Sequence, residues 1–179
     1  MGSESVASVK LRPLVMDDIK EMLEWPRYEG KTDQWANLPA ESLEEGEEWL
    51  RIYHQPPKCY CLAVVSVTGE VVGRCNLAVL DAETGVGGIF SFTIRRDMSD
   101  HGFAQVALAE LLRFCFGQLD MPAVYLYTQA VNRKARHIYD KLGFKFMGSH
   151  YDYRDGQGYV KLVDLVAWRR DWEQGRQDK

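Results

Sequence analysis

After residue 89 the hydrophobic pattern of this chain changes period repeatedly, and those changes restrict its architecture more than any other feature. IFSFTI, residues 89–94, is a short apolar run of strand character. From Gly102 to Phe116 the apolar residues recur with helical spacing, and Gly117 ends the run. PAVYLYTQA, residues 122–130, returns to strand character. Asn132 to Leu142 is helical again, with Gly143 placed to cap it. Strand–helix–strand units of this kind require a sheet covered by helices.

The remaining segments fit around that frame. VKLRPL, residues 9–14, predicts a first strand. Asp17 and Asp18 are placed to cap a helix through Ile19, Met22, Leu23 and Trp25, stopped at Pro26. Residues 27–40 look irregular. Ser42 and Glu45 have capping-box spacing and open a second helix through Trp49, Ile52 and Tyr53, before Pro56-Pro57. CYCLAVVSV, residues 59–67, turns at Thr68-Gly69 into a return strand, 71–80, where Gly73 suggests a bulge. Two strands near 144–153 and 158–167 flank Asp155-Gly156. The fold class is α/β, with a mixed sheet flanked by helices. Residues 9–168 form one domain, 1–8 a flexible N-terminus and 169–179 a charged, frayed tail.

Composition removes several function classes. A net charge of -4 supplies no basic face for nucleic acid. No apolar run approaches the length that a membrane span needs, and MGSESVASVK lacks the apolar stretch of a signal peptide. Cys59, Cys61, Cys75 and Cys115 form no CxxC pair, so they are expected to be reduced thiols in a cytoplasmic protein. His54, His101, His137 and His150 show no ligand spacing, and no metal is expected.

Two segments carry candidate chemistry. Strand 89–94 leads through a short loop to a helix whose first turn holds Ser99, Asp100, His101 and Gly102. Unpaired N–H groups at a helix start suit a phosphate, and Gly102 lets a bulky anion approach. The alternative is an ordinary helix capped by Ser99 or Asp100. In the second segment Ala135, Ile138, Tyr139 and Leu142 share one helix face. Tyr139 then carries its hydroxyl among apolar neighbours, as a reacting group or as a satisfied core tyrosine.

The second segment closely resembles the motif N-x-x-A/S-x-x-x-Y-x-x-x-G-F of the GNAT acyltransferases, complete here as Asn132, Ala135, Tyr139, Gly143 and Phe144. The first resembles the acyl-CoA loop R/Q-x-x-G-x-G/A of that family, with Gly102 and Ala104 in its last two places. The opening LRPL and Asp17-Asp18 look like the ribosomal-protein N-acetyltransferase branch. The resemblance spans residues 9–168. It implies a central mixed, mostly antiparallel sheet flanked by helices, with a splayed central strand pair. It also implies transfer of an acetyl group from acetyl-CoA to a primary amine by direct attack in a ternary complex. The acceptor is a protein N-terminus or a small-molecule amine, and the enzyme a monomer or homodimer.

The resemblance further assigns roles. The backbone of Phe92, Thr93 and Ile94 pairs with the pantetheine arm. N–H groups from Asp100 through His101, Gly102 and Phe103 to Ala104 hold the pyrophosphate. Asn132 bonds the pantetheine or nearby backbone, and Tyr139 serves the departing thiolate. The pattern is broken at Ser99, where the family has Arg or Gln, and at Asp100, where its first glycine stands. A carboxylate beside a pyrophosphate is unfavourable. The central strand also lacks the usual Glu, leaving Asp81, Glu83, Ser91 and Tyr127 as candidate bases. These departures keep a rival reading open, a non-catalytic acyl-CoA-binding or regulatory module.

Smaller features have two readings each. Trp25, Tyr28, Trp35, Trp49 and Tyr53 crowd the N-terminal third, which lines the acceptor pocket in the GNAT family, or they pack the core. Glu44, Glu45, Glu47 and Glu48 steer a cationic substrate or form a solvated face. Arg133, Lys134 and Arg136 meet the ribose phosphate of CoA or face water.

Overall fold

The computed structural model describes residues 8–30 and 34–177; the expected flexible N-terminus therefore lies almost wholly outside the described residues. Seven strands form one mixed sheet in the order β1-β2-β3-β4-β5-β7-β6. They are β1 (Val9–Pro13), β2 (Cys59–Ser66), β3 (Val71–Val79), β4 (Gly87–Ile94), β5 (Ala123–Gln129), β6 (Lys145–Arg154) and β7 (Gly158–Trp168). The helices are α1 (Met16–Leu23), α2 (Leu43–Tyr53), α3 (Phe103–Arg113), α4 (Arg133–Lys141) and α5 (Arg169–Gln177). β1–β2, β5–β7 and β6–β7 are antiparallel, and β4–β5 is parallel. The β4–β5 register holds only Gly87↔Val124 and Gly88↔Tyr125. Strand pairing at the sheet centre therefore stops early, which is the splay implied for the central pair.

The chain divides into two compact units. The first contains the described residues up to Leu77 together with Ser91–Leu111. Its apolar residues fall into two clusters. Leu14, Ile19, Met22, Trp49, Cys61, Ala63 and Val71 join α1 and α2 to the strands. Val9, Val64, Val72, Ile94 and Ala107 join α3 to them. Alternation along each strand produces this division, because neighbouring residues such as Ala63 and Val64 point to opposite faces. At Gly73 the alternation slips. Val72 packs with the α3 cluster, yet Arg74, two residues on, lies over the Trp49 ring of the α2 cluster. A bulge has this consequence. Glycine is also demanded by space, because a Cβ there would lie 2.5 Å from the Thr93 carbonyl oxygen.

The helix starts follow local chemistry, with one correction. α1 begins at Met16, before the aspartates expected to cap it. Asp18 acts from inside the first turn: its Oδ2 accepts the Val15 N–H at 2.9 Å, and Arg12 grips both its oxygens at 2.6 and 2.7 Å. At α2 the Ser42 hydroxyl accepts the Glu45 N–H at 3.2 Å, while the Glu45 carboxylate reaches Glu41 N–H.

The second unit contains Ala78–Phe90 and the residues from Leu112 onward. After Arg113 the backbone widens into a π-turn over Phe114–Gln118, and Leu119 N–H donates to Phe114 C=O. Val124, Leu126, Phe144, Val163 and Leu165 are buried in this unit. The stretch expected to fray after Arg169 is helical, and Trp172 packs on Phe116 with ring centroids 5.4 Å apart. An aromatic anchor within a charged segment is what the composition of the tail conceals.

Candidate active site

In the first unit the site residues run from the end of β4 into α3. Ser91 has φ 49°, a left-handed conformation that costs a non-glycine residue about 1–2 kcal/mol. Below this kink the strand recovers. Arg95 N–H donates to Val72 C=O at 2.7 Å, and the Thr93 carbonyl lies against Gly73, so residues 93 and 95 turn their backbone groups toward β3. Phe92 and Ile94 turn theirs the other way. Of the three residues expected to meet pantetheine, Thr93 is therefore already committed to β3. The Ile94 carbonyl accepts the Tyr28 hydroxyl at 2.7 Å.

The loop after β4 corrects a second expectation. Ser99, Asp100, His101 and Gly102 do not form the first turn of α3. Arg96–Met98 is a 3-10 turn, Ser99 N–H donates to Arg96 C=O and His101 N–H to Met98 C=O. Gly102 then takes φ 79°, and the helix starts at Phe103. The N–H groups of Phe103, Ala104 and Gln105 open α3 without intrahelical acceptors. Phe103 and Ala104 pack their side chains against the α3 cluster, while Asp100, His101 and Gly102 are exposed. A helix start with free N–H groups exists, one to three residues beyond the place where spacing put it.

The second unit holds Asn132 and Tyr139 on α4. Asn132 caps this helix, its Oδ1 accepting the Ala135 N–H at 3.1 Å. At the other end Gly143 has φ 86°. Phe144 N–H donates to Tyr139 C=O and Gly143 N–H to Asp140 C=O, a Schellman closure. The Phe144 ring packs on Tyr139, centroids 5.6 Å apart. Tyr139 is 8% exposed, burial pushes its phenol up to about 12, and its hydroxyl has no hydrogen-bond partner among the described residues. A protonated, uncommitted phenol can donate a proton or hydrogen bond, and burial makes it a poor base.

The candidate bases fare unequally. Asp81 accepts the Glu83 and Thr84 N–H groups, which hold its carboxyl below the usual range. Tyr127 is half-exposed beneath the Arg154 guanidinium. Beside it stands a network that spacing did not single out. Tyr125 donates to Asp164 Oδ1, and His150 Nδ1 lies 3.0 Å from Asp164 Oδ2. Its members are far apart in sequence, and only the β5–β7–β6 pairing gathers them. Glu44, Glu47 and Glu48 are exposed, as are Arg133, Lys134 and Arg136.

Arg74 was also missed, although a cation inside VVGRCNLAV is itself a signal. It is 1% exposed, and burial lowers its pKa to about 10. Its guanidinium donates to Asn37 C=O at 2.8 Å and to Ser91 C=O at 3.4 Å, tying the kinked residue to the loop before α2. It also lines a cavity of about 30 Å3 with Trp25, Tyr28, Asn37, Thr93 and Arg95. Trp25 and Tyr28 thus reach the cavity, whereas Trp49 belongs to the core.

Comparisons with known proteins agree with the fold. The family model for the GNAT acetyltransferase domain matches residues 8–145. Spermidine N(1)-acetyltransferase of Escherichia coli is 28% identical over 172 residues, 94% of this chain and 90% of that protein. The crystal structure of spermidine N-acetyltransferase from Vibrio cholerae with CoA and spermine superposes with a TM-score of 0.81 at 19% identity, covering 93% of this chain and 98% of that one.

Proposed function

The chain belongs to the GNAT acetyltransferase family, and within that family we propose that Tyr139 is its acid and that the start of α3 holds the pyrophosphate of acetyl-CoA. The protein is an acyl-CoA-dependent N-acetyltransferase that moves an acetyl group to a primary amine. The amine nitrogen attacks the thioester carbonyl, a C–N bond forms, and the C–S bond breaks. The proton that the nitrogen sheds passes to solvent, and the departing sulfur takes up a proton or hydrogen bond from Tyr139. Phe92 and the Ile94 N–H offer backbone groups to the pantetheine arm, the Ile94 carbonyl being held by Tyr28. Gly102 to Gln105 offer N–H groups and the positive end of α3 to the pyrophosphate.

The observation that carries this reading is the Tyr139 hydroxyl, carried on a helix capped at both ends, kept protonated by burial, and bonded to no described residue. A passive acyl-CoA-binding module has no use for such a group. Tyr139→Phe keeps the ring that packs on Phe144 and removes the proton. We expect kcat to fall about 100-fold while the acetyl-CoA dissociation constant moves less than about twofold. Unchanged kcat at saturating substrates removes Tyr139 from the chemistry.

The named relatives act on spermidine, which makes a polyamine one candidate acceptor; a protein N-terminus and other small-molecule amines are further ones. Cys59, Cys61, Cys75 and Cys115 are free thiols, which supports a reducing, cytoplasmic setting. No described helix is long and apolar enough to cross a membrane.

A further inference from the structure

Beside β4 a cavity of the first unit has a cationic floor that no acid among the described residues answers. Arg74 is 1% exposed, and among the described residues it bonds only carbonyl oxygens, with the Trp49 ring 5.4 Å from its guanidinium carbon. Three more arginines reach the same cavity, and each has a carboxylate partner. Arg27 pairs with Glu41, Arg95 with Glu70 and Asp97, and Arg96 with Glu29. The rim is thus neutralised, and the floor is left with one positive charge. A buried charge without a partner is costly, so a sequence keeps one where something else supplies the counter-charge.

Two further atoms point to the same conclusion. Trp25 Nε1 and Thr93 Oγ1 are buried with no hydrogen-bond partner, and both residues line the cavity. Indole and guanidinium nitrogens only donate, and a threonine hydroxyl can. The groups awaiting a partner are therefore donors around a cation, the complement of an oxyanion. The cavity measures about 30 Å3, and one water needs about 10–15 Å3 on this scale, so the space suits two waters or one carboxylate. Thr93 ties the cavity to the reaction. Thr93 lines the cavity, while Phe92 and Ile94 on either side turn their backbone groups to the side assigned to pantetheine.

We propose that this cavity receives a carboxylate of the acceptor, so that the substrate is an amine bearing a free carboxylate, of the amino-acid type, and not a polyamine. The proposal rests on the N-acetyltransferase reading. Burial leaves Arg74 protonated at neutral pH, since its pKa is still about 10. A polyamine would bring further cations to that floor, where like charges repel.

The test is steady-state acetyl transfer from acetyl-CoA to glycine, β-alanine, glutamate and phenylalanine, to the primary amide of each, and to spermidine. The amide keeps the shape of the carboxylate and removes its charge. At least one amino acid is expected to exceed its own amide by at least about 30-fold in kcat/KM. Trp25→Phe and Thr93→Val, chosen because Arg74→Gln risks unfolding, are expected to raise the amino-acid KM about 10-fold with the acetyl-CoA KM unchanged. If amides or spermidine react as well as the acids, or if both variants leave the amino-acid KM alone, the proposal is overturned and the N-acetyltransferase stands. If acetyl-CoA binds and no amine of any class reacts, the enzyme reading falls and this proposal with it.

Discussion

Tyr139 and Ser91 show how differently two residues can be determined. Most of the motif from Asn132 to Phe144 is a folding signal. Asn132 closes the first turn of α4, Gly143 supplies the left-handed residue that ends it, and Phe144 packs on Tyr139 across the closure. Once these needs are met, the phenol hydroxyl is left over for chemistry. Ser91 answers to no local rule, since serine has no preference for φ 49° inside a strand. The surrounding structure imposes that angle, with Arg74 bonded to the Ser91 carbonyl. Ser91→Gly should therefore raise the melting temperature or leave it unchanged, and Ser91→Val should lower it by about 2–8 °C, for a cost of about 1–2 kcal/mol. Calorimetry of the two variants separates strain from side-chain function; a stabilised Val variant would contradict the assigned backbone.

At the scale of elements, close approach decides more than propensity. Gly46 sits in the middle of α2, where alanine would be the better helix former. A Cβ at Gly46 would stand 2.4 Å from Ile19 Cγ2, so glycine sets how closely α2 meets α1. Gly46→Ala gains helix propensity yet should destabilise by about 1–3 kcal/mol through overpacking. Urea denaturation reads the sign directly, and a gain in stability would mean that Ile19 yields without strain. The β4–α3 connection repeats the lesson. Its 3-10 turn and left-handed Gly102 delay the helix to Phe103, moving the free N–H groups away from Ser99 and Asp100. The departures from the family loop thus fall in the approach to the helix and outside its first turn.

At the scale of the whole molecule, burial sets the chemistry of the thiols. Cys61 and Cys75 are each 0% exposed, and desolvation pushes both up to about 12 from an ordinary 9. Their folded pKa values lie above the unfolded ones. The resulting stability is complete below pH 9 and is lost as pH rises from 9 toward 12, because only the unfolded chain ionises there. Between pH 9 and 10 this effect stands nearly alone. Tyr139 acts in the same direction from pH 10 upward, and Arg74, whose folded pKa is lowered to about 10, acts in the opposite one. The urea midpoint should fall between pH 7.5 and 10, and the fall should shrink in the Cys61→Ala, Cys75→Ala double variant. An equal slope in that variant would show that the thiols do not control it.

The sequence by itself determined what depends on neighbours along the chain. Periodicity marked the seven strands and four of the five helices, capping chemistry fixed α2 and α4, and the run from Asn132 to Phe144 pointed to the family. Each rests on contacts within a few residues, which a linear string records. The tertiary structure decided whatever needs distant residues to meet. Arg74 reads as an oddity in a strand until Asn37, Ser91 and Trp49 surround it. His150 and Asp164 are unremarkable until β6 pairs with β7. The charged tail looks unstructured until Trp172 finds Phe116. Desolvation and unmatched charge depend on what closes over a group from elsewhere in the chain, and no local spacing encodes that.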